Sequence, residues 1–327
     1  MSSFTFADIF AGIGGFRLAL EGIGGTCLAT CERDKFARKT YEANFGEINQ
    51  YRWFDEMAHS VDTMPFVDVV AAGFPCQPFS KAGTVARRQN GIPDGFDDPH
   101  SGVAFHHLWR YIDRIRPAAL LLENVPRLLT HDNGRSFETV VSALQYSGYH
   151  LRYQVVDARS WVPQTRQRLF IVGVHRMHYP NPEPLEIELP SGPYPKLKDI
   201  LEPESETTEA CILNDGIWKC LQEHRRRHAN AGSGFGYCIA DPEGATRTML
   251  ARYYKDGAEI LIGRPDGNPR RLTPRECARL QGFDTPEREW KIPVSRTQAY
   301  KQFGNAVCVP VATAVAKTMI SDIHGAR

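Results

Sequence analysis

A cysteine between two prolines, in the run GFPCQPFS, is placed for chemistry rather than for packing. Cys76 follows the apolar stretch VDVVAAGF. A thiol at the end of a buried strand, in a proline-bounded turn, is a candidate nucleophile. A second apolar stretch, AALLLENV, ends on Glu123 and its neighbours, and QTRQRL sets Arg166 and Arg168 two residues apart. In an extended segment both guanidiniums point to one face, where they could orient a glutamate and donate to a substrate carbonyl. A shielded carboxylate there could also carry a proton when the chemistry needs one. Taken singly, the same residues equally make a salt bridge at a sheet edge.

A second constellation lies upstream. DIFAGIGGF puts Gly12, Gly14 and Gly15 in a turn between an expected strand and an expected helix, and Glu32 ends the next strand twenty residues after Gly12. Glycines let a ligand approach the backbone, and a carboxylate at that spacing can accept from two ribose hydroxyls. The pattern reads as a nucleoside site. It is not G-x-G-x-x-G, so a dinucleotide is less favoured. Phe10 and Phe16 flank the turn, as core residues or, for Phe10, against an adenine.

These residues need a frame that gathers strand ends. FTFADIF, TCLATCE, VDVVAAG, AALLLEN, LRYQVVDA and RLFIVGV read as strands, with helical segments such as GGFRLALEGIG, FHHLWRYIDRI and SFETVVSALQYSG between many of them. That alternation predicts an α/β domain with a mostly parallel sheet covered on both faces, its ligand at the carboxyl ends of the strands. From Tyr179 the texture turns proline-rich and weakly periodic. We therefore expect one domain over 1–178 and 299–327, and a smaller irregular domain with its hinge over 179–298. The closing segment QAYKQFGNAVCVPVATAVAKTMISDI ends in an amphipathic helix expected to rejoin the first domain.

Composition narrows the partners. Of 327 residues, 42% are hydrophobic and 24% charged, with 39 Lys and Arg against 38 Asp and Glu. Bulk charge therefore does not select a nucleic acid, which would have to meet local patches such as Arg87-Arg88, Arg225-Arg226-Arg227 or Arg270-Arg271. There is no basic leader before a long apolar core, and no run approaches about 18 apolar residues, so we expect neither signal peptide nor membrane span. The eight cysteines form no C-x-x-C pair. They read as reduced thiols of a cytoplasmic protein, with no zinc or other metal site expected.

Taken together, DIFAGIGGF, GFPCQPFS, ENV, QTRQR, RLTPRECARLQGF and QFGNAVCVP, in this order across nearly the whole chain, resemble the ordered motifs of the bacterial DNA cytosine-5 methyltransferases. The resemblance implies a Rossmann-like catalytic domain, a small target-recognition domain, S-adenosylmethionine as cofactor, and double-stranded DNA with a flipped-out cytosine. It makes Cys76 the covalent catalyst at cytosine carbon 6, Glu123 the holder of the ring nitrogen and amine, Arg168 the donor to the ring carbonyl, and Arg166 the support of that pair. Around the cofactor it carries over to Phe10, Gly12, Gly14, Glu32 on the ribose, Pro75, Asn305 and Asp55, with Asp62 an alternative to Asp55. SKAGTVARRQNGIPDGFDDPHSG, from Ser80, matches the family's mobile catalytic loop and brings Arg87 and Arg88 to phosphates. Two departures touch the cofactor pocket: HSGVAFHHL stands where many members have Arg-Gly-x-Leu, and Arg33 where a tryptophan is common.

In the small domain, GFGY and TRTMLARYYKDGAEILIGR resemble the subgroup that methylates the inner cytosine of CCWGG or CCNGG. Arg247, Thr248 and Arg252, with Arg264, are the DNA-reading candidates there, since paired donors of arginine match the two acceptors of guanine. Three other readings compete. A transfer-RNA cytosine methyltransferase is disfavoured by GFPCQPFS and by the full recognition domain. An inactive DNA-binding module would need a lost catalytic residue, and a nicotinamide dehydrogenase would bind NAD instead. A cognate restriction endonuclease is a possible partner, and the enzyme class commonly acts as a monomer.

Overall fold

FTFADI forms the strand β1 (Phe4–Ile9), nearly all of it buried, as expected of a strand covered on both faces, with Asp8 the one charged residue in it. The computed structural model describes residues 3–46, 50–51, 64–75, 101–179, 184–207, 209–230, 232, 236–255 and 257–325. After β1 come α1 (Gly15–Glu21), β2 (Gly25–Cys31), α2 (Lys35–Phe45), the short β3 (Gln50–Tyr51) and β4 (Val69–Gly73). Then follow α3 (Ser101–Ile115), β5 (Ala119–Asn124), α4 (Arg135–Tyr146), β6 (Tyr149–Asp157) and β7 (Gln167–His175).

The strands make a seven-stranded sheet in the order β3-β2-β1-β4-β5-β7-β6. Neighbours from β3 through β5 are parallel. β7 runs antiparallel to β5, pairing Glu123 with Phe170 and Asn124 with Leu169. One apolar cluster joins Ala7, Ile9, Val70, Ala72, Leu120, Leu122 and Ile171 of the strands to Leu108 and Ile112 of α3 and Val140 and Leu144 of α4. The order reverses between β1 and β4, and in an open α/β sheet that switch point opens the crevice at the carboxyl ends of the strands. The mostly parallel α/β architecture read from the sequence is the one observed.

The chain divides into two compact units, the first of Met1–Val156, Gln167–Leu189 and Val311–Arg327, the second of Asp157–Arg166 and Pro190–Pro310. The second unit thus takes in a short segment before β7 and the helix α7 (Arg296–Asn305), some of which the sequence reading gave to the first domain. Its other helices are α5 (Asp215–Asn230) and α6 (Pro274–Leu280). Isolated bridges take the place of a sheet there, among them Ile262 with Arg270. Arg270 and Glu276, both buried, meet through two 2.8 Å hydrogen bonds. Arg296–Ser321 has the length and apolarity of a membrane-crossing helix, yet 61% of its window is buried. The backbone turns extended at Ala306, separating α7 from α8 (Val309–Gly325).

Candidate active site

Parallel strands fix where β4 and β5 end, and the antiparallel β7 begins beside the end of β5. Glu123, next to last in β5, pairs in register with Gly73, the last residue of β4. Arg168, second in β7, reaches it from the other side, with Nε in an ion pair with Glu123 Oε1 at 3.0 Å. The side chains are only 17% and 14% exposed. A Cβ on Gly73 would stand 3.6 Å from Glu123 Oε2 and 3.8 Å from Phe16, so the end of β4 lies directly against the carboxylate. Two of the three residues named for acid, base and carbonyl chemistry are therefore brought together.

The glycine turn lies at the end of β1. Phe10 has φ 59°, in the left-handed region that aromatic residues seldom occupy, and Gly12 and Gly14 follow with φ 57° and 90°. Backbone in that region is strained for a residue with a Cβ, and such strain gathers at ligand sites. At Gly14 a Cβ would also strike the Phe45 ring at 2.3 Å. At Gly12 it would meet nothing within 4 Å, so that position opens onto free space.

Glu32, just past the end of β2, ties this turn down. Gly12 N–H donates to its Oε2 at 2.8 Å, and Asp34 N–H donates to its Oε1 at 2.7 Å. Asp34 in turn caps α2, accepting from the Phe36 and Ala37 amides at 2.8 Å each. Burial pushes the Glu32 carboxyl up from its ordinary range, and the Asp34 and Gly12 amides draw it back. Arg33 is exposed.

Asn124 was not singled out in the sequence, although it stands directly after Glu123. It is fully buried. Its Nδ2 donates to the Phe74 carbonyl at 3.2 Å, and its Oδ1 accepts from Val125 N–H at 2.9 Å. The amide thus clamps the backbone leaving β4, one residue before the half-buried Pro75. Asp8 was missed as well, although a charge inside FTFADIF is a visible signal. Cys76, Ser80, Arg87, Arg88, Asp55 and its alternative Asp62 lie outside the described residues.

Arg166 has partners other than those expected. It precedes β7 and belongs to the second unit, where it is 1% exposed. Its guanidinium donates to the carbonyls of Met249 at 3.1 Å, Gly304 at 3.1 Å and Ala306 at 2.8 Å. Through these bonds it fastens the GNA turn to the segment that holds Met249. Asn305 ends α7 and is exposed. Among the DNA-reading candidates, Arg247 is exposed and donates to the Gly236 carbonyl at 3.3 Å, Thr248 donates to the Thr165 carbonyl at 2.6 Å, and Arg252 is exposed. Arg264 is held in an ion pair with Glu204.

A family model for C-5 cytosine-specific DNA methylases matches residues 4–321. The Type II methyltransferase M.DsaV of Dactylococcopsis salina is 41% identical over 325 residues, covering 97% of this chain and 86% of that protein. The DNA-cytosine methyltransferase of Escherichia coli (strain K12) is 39% identical over 374 residues, covering 99% and 79%. In fold, the chain is similar to the Entamoeba histolytica methyltransferase EhMeth, with a TM-score of 0.75 at 19% identity over 99% of both chains.

Arg166→Ala should destabilise the second unit by about 3 kcal/mol, because each buried carbonyl that loses its donor costs roughly 1–3 kcal/mol before water relaxes into the gap. Arg166→Lys should restore only part of this, since an ammonium cannot reproduce the planar fork. Urea unfolding of the two variants measures it. A loss below about 0.5 kcal/mol, the range of ordinary surface substitutions, would show that the three bonds do not hold the unit together.

Proposed function

The chain belongs to the C-5 cytosine-specific DNA methylase family, and from that premise we propose that it methylates carbon 5 of a flipped-out cytosine in a short duplex DNA site through a covalent adduct of Cys76. The activity class, methylation of DNA cytosine at carbon 5, comes with the family. The covalent route, the residue roles and the target are the proposal. The observation that carries it is the shielded Glu123–Arg168 pair beside Gly73 at the carboxyl edge of the sheet.

The methyl donor is S-adenosylmethionine. The residues fit it: Gly12 opens onto free space where a side chain would stand, and Glu32 places a carboxylate, the acceptor a ribose hydroxyl needs, beside the same turn. When bound, it supplies a methyl group on a sulfonium, electrophilic enough to be taken by an activated carbon. Phe10, Gly12, Gly14 and Glu32 hold the nucleoside part, Asp55 the adenine amine, and Pro75 the methionine part.

Cytosine carbon 5 is a weak nucleophile until the aromatic ring is broken. The Cys76 thiolate adds to carbon 6, and electron density moves to carbon 5. Glu123 Oε2 faces the ring nitrogen and exocyclic amine, while Arg168 donates to the ring carbonyl and holds Glu123 by Oε1. Both groups stabilise charge that develops on the ring during addition. Carbon 5 would then bond to the methyl group, whose former bonding pair stays on the donor sulfur, and loss of the carbon-5 proton to a base would expel the Cys76 thiolate and restore the double bond between carbons 5 and 6. Ser80, Arg87 and Arg88 contact the DNA beside the target, and the first unit serves as the cofactor domain while the second reads the site.

The recognition segment favours a CCWGG or CCNGG target. Because Arg264 is paired with Glu204, reading of guanines falls to Arg247 and Arg252, with Thr248 beside them. A cognate endonuclease and action as a monomer remain part of this proposal.

Cys76→Ser should abolish methyl transfer, since a serine hydroxyl is a far poorer nucleophile than a thiolate near neutral pH. Retention of more than about a hundredth of the rate, a barrier change under roughly 2.7 kcal/mol, would remove the covalent step. With 5-fluorocytosine at the target, fluorine cannot leave as a cation, so a protein–DNA adduct should survive denaturation.

Glu32→Ala should weaken S-adenosylmethionine binding by about 1.5–3 kcal/mol, the range for hydrogen bonds to a charged acceptor. Calorimetry with unchanged affinity would take Glu32 out of the cofactor site.

Arg247→Ala or Arg252→Ala should cost about 1–3 kcal/mol and relax selectivity at one base pair if that arginine reads a base. Equal losses on all sequences would make it a phosphate contact. Sequencing of 5-methylcytosine in DNA from a host expressing the chain tests the target itself, and modified cytosines only in GCGC or GGCC would overturn it.

A further inference from the structure

One buried charge has no part in the chemistry above. Asp8 lies in β1 between Thr30 of β2 and Ala71 of β4 and is fully buried. Neither carboxylate oxygen closes a full hydrogen bond. The groups that draw on it are the main-chain amide and the charge of Arg17 in α1. The Arg17 side chain is engaged elsewhere: Nε donates to Glu21 at 2.6 Å, a terminal nitrogen approaches Tyr41 Oη at 3.4 Å, and the guanidinium lies 4.3 Å from the Phe45 ring centre. What remains for Asp8 is the amide end of α1.

That end lacks a cap in its own sequence. Gly14 stands at the N-cap position and offers no side chain, and the first turn holds no acidic residue. The first helical bond runs from Leu18 N–H to the Gly14 carbonyl, so the amides of Gly15, Phe16 and Arg17 have no partner within the helix. A carboxylate from the neighbouring strand can meet both the free amides and the positive end of the helix. The glycine turn between β1 and α1 is then held at both ends, by Glu32 on Gly12 and by Asp8 on the helix start.

We propose that Asp8 is a positioning residue for the cofactor site, acting from the strand as the cap that α1 lacks and holding the Phe10–Gly14 turn in its ligand-receiving shape. This rests on the assignment of that turn to S-adenosylmethionine.

Protonation of Asp8 gives the idea a signature. Burial raises its pKa from 3.8 to about 7, against the pull of Arg17 and with a further push from Glu32 and Glu21. The other titratable groups bearing on this cluster are Cys27 of β2 and Tyr41 of α2, both pushed up by burial and by Asp8 itself. Ala71, its partner on β4, carries no charge. Between 3.8 and about 7 the folded chain binds a proton that the unfolded chain does not. The contribution of Asp8 to stability therefore falls as pH rises through about 7. The ionised cap grips the amides more strongly, so cofactor affinity should rise over the same interval. A residue that only packs would not move the two in opposite directions.

The test is calorimetry of S-adenosylmethionine on the full chain, with Asp8→Ala and Asp8→Asn beside the wild type, at about pH 6 and about pH 8. Asp8→Ala should bind the cofactor about tenfold more weakly, the worth of a good cap, while affinity for duplex DNA stays within about twofold. Asp8→Asn is isosteric and keeps an acceptor oxygen. It should recover part of the affinity and lose the rise between the two pH values. Wild-type affinity in Asp8→Ala, or a wild-type pH slope in Asp8→Asn, overturns the proposal. If Glu32→Ala also leaves binding unchanged, the assignment of the turn itself has failed; if Glu32→Ala weakens binding and the Asp8 variants do not, only the role of Asp8 has.

Discussion

The direction of β7 is the constraint on which the candidate site depends. Every neighbour from β3 to β5 is parallel, so those strands deliver their last residues to one edge. A further parallel strand would bring its own last residues there too. Because β7 is antiparallel to β5, it brings its first residues instead, and Arg168 arrives at Glu123. At an effective dielectric of about 20 such a pair attracts by roughly 4 kcal/mol, while drawing each ion out of water costs several kcal/mol. The two effects nearly cancel. The pair is therefore better understood as a device for orienting a carboxylate and a guanidinium than as a support of the fold.

Much of this edge was legible in the residues. Apolar runs that end on a polar or reactive residue (Ile9 before the glycine turn, Cys31 before Glu32, Leu122 before Glu123) mark strands whose ends face a crevice, and the structure has strands at all three. The backbone partners of Arg166 were not legible, for a physical reason. The two-residue spacing to Arg168 implies a common face only if both lie in a strand, and β7 starts at Gln167. At Arg166 the chain is still turning, with its amide donating to Asp157 at 3.0 Å and its carbonyl accepting from Ala158. Its side chain then follows the second unit. The partners of Asn124 and Glu32 were illegible for a different reason: they are backbone groups, which every residue carries, so no sequence pattern marks them.

The second unit was legible only as a change of texture. Its packing rests on contacts between side chain and distant backbone that leave no periodicity. Tyr253 donates to the Ile260 carbonyl and accepts from Leu272 N–H, and Tyr300 donates to the Leu272 carbonyl. Glu276 closes a capping box with Thr273, accepts the amide of Glu202 and takes both bonds from Arg270. The Thr-Pro-Arg-Glu run announces the box and the start of a helix. It does not announce that the same carboxylate neutralises a buried arginine six residues upstream.

In both units, several polar side chains are directed at main chain. Glu32 holds two amides, Asn124 holds a carbonyl and an amide, and Arg166 holds three carbonyls. A bond between two side chains fixes two rotamers, whereas a bond to the backbone fixes the path of the chain itself. In a turn such as Phe10–Gly14, where glycines remove the steric limits on that path, the limits must come from elsewhere. Glu32 supplies one of them from the end of the next strand. Glycines alone would leave the turn without a defined shape, and the carboxylate just past the end of the next strand, bonded to the Gly12 amide, gives that segment a fixed point.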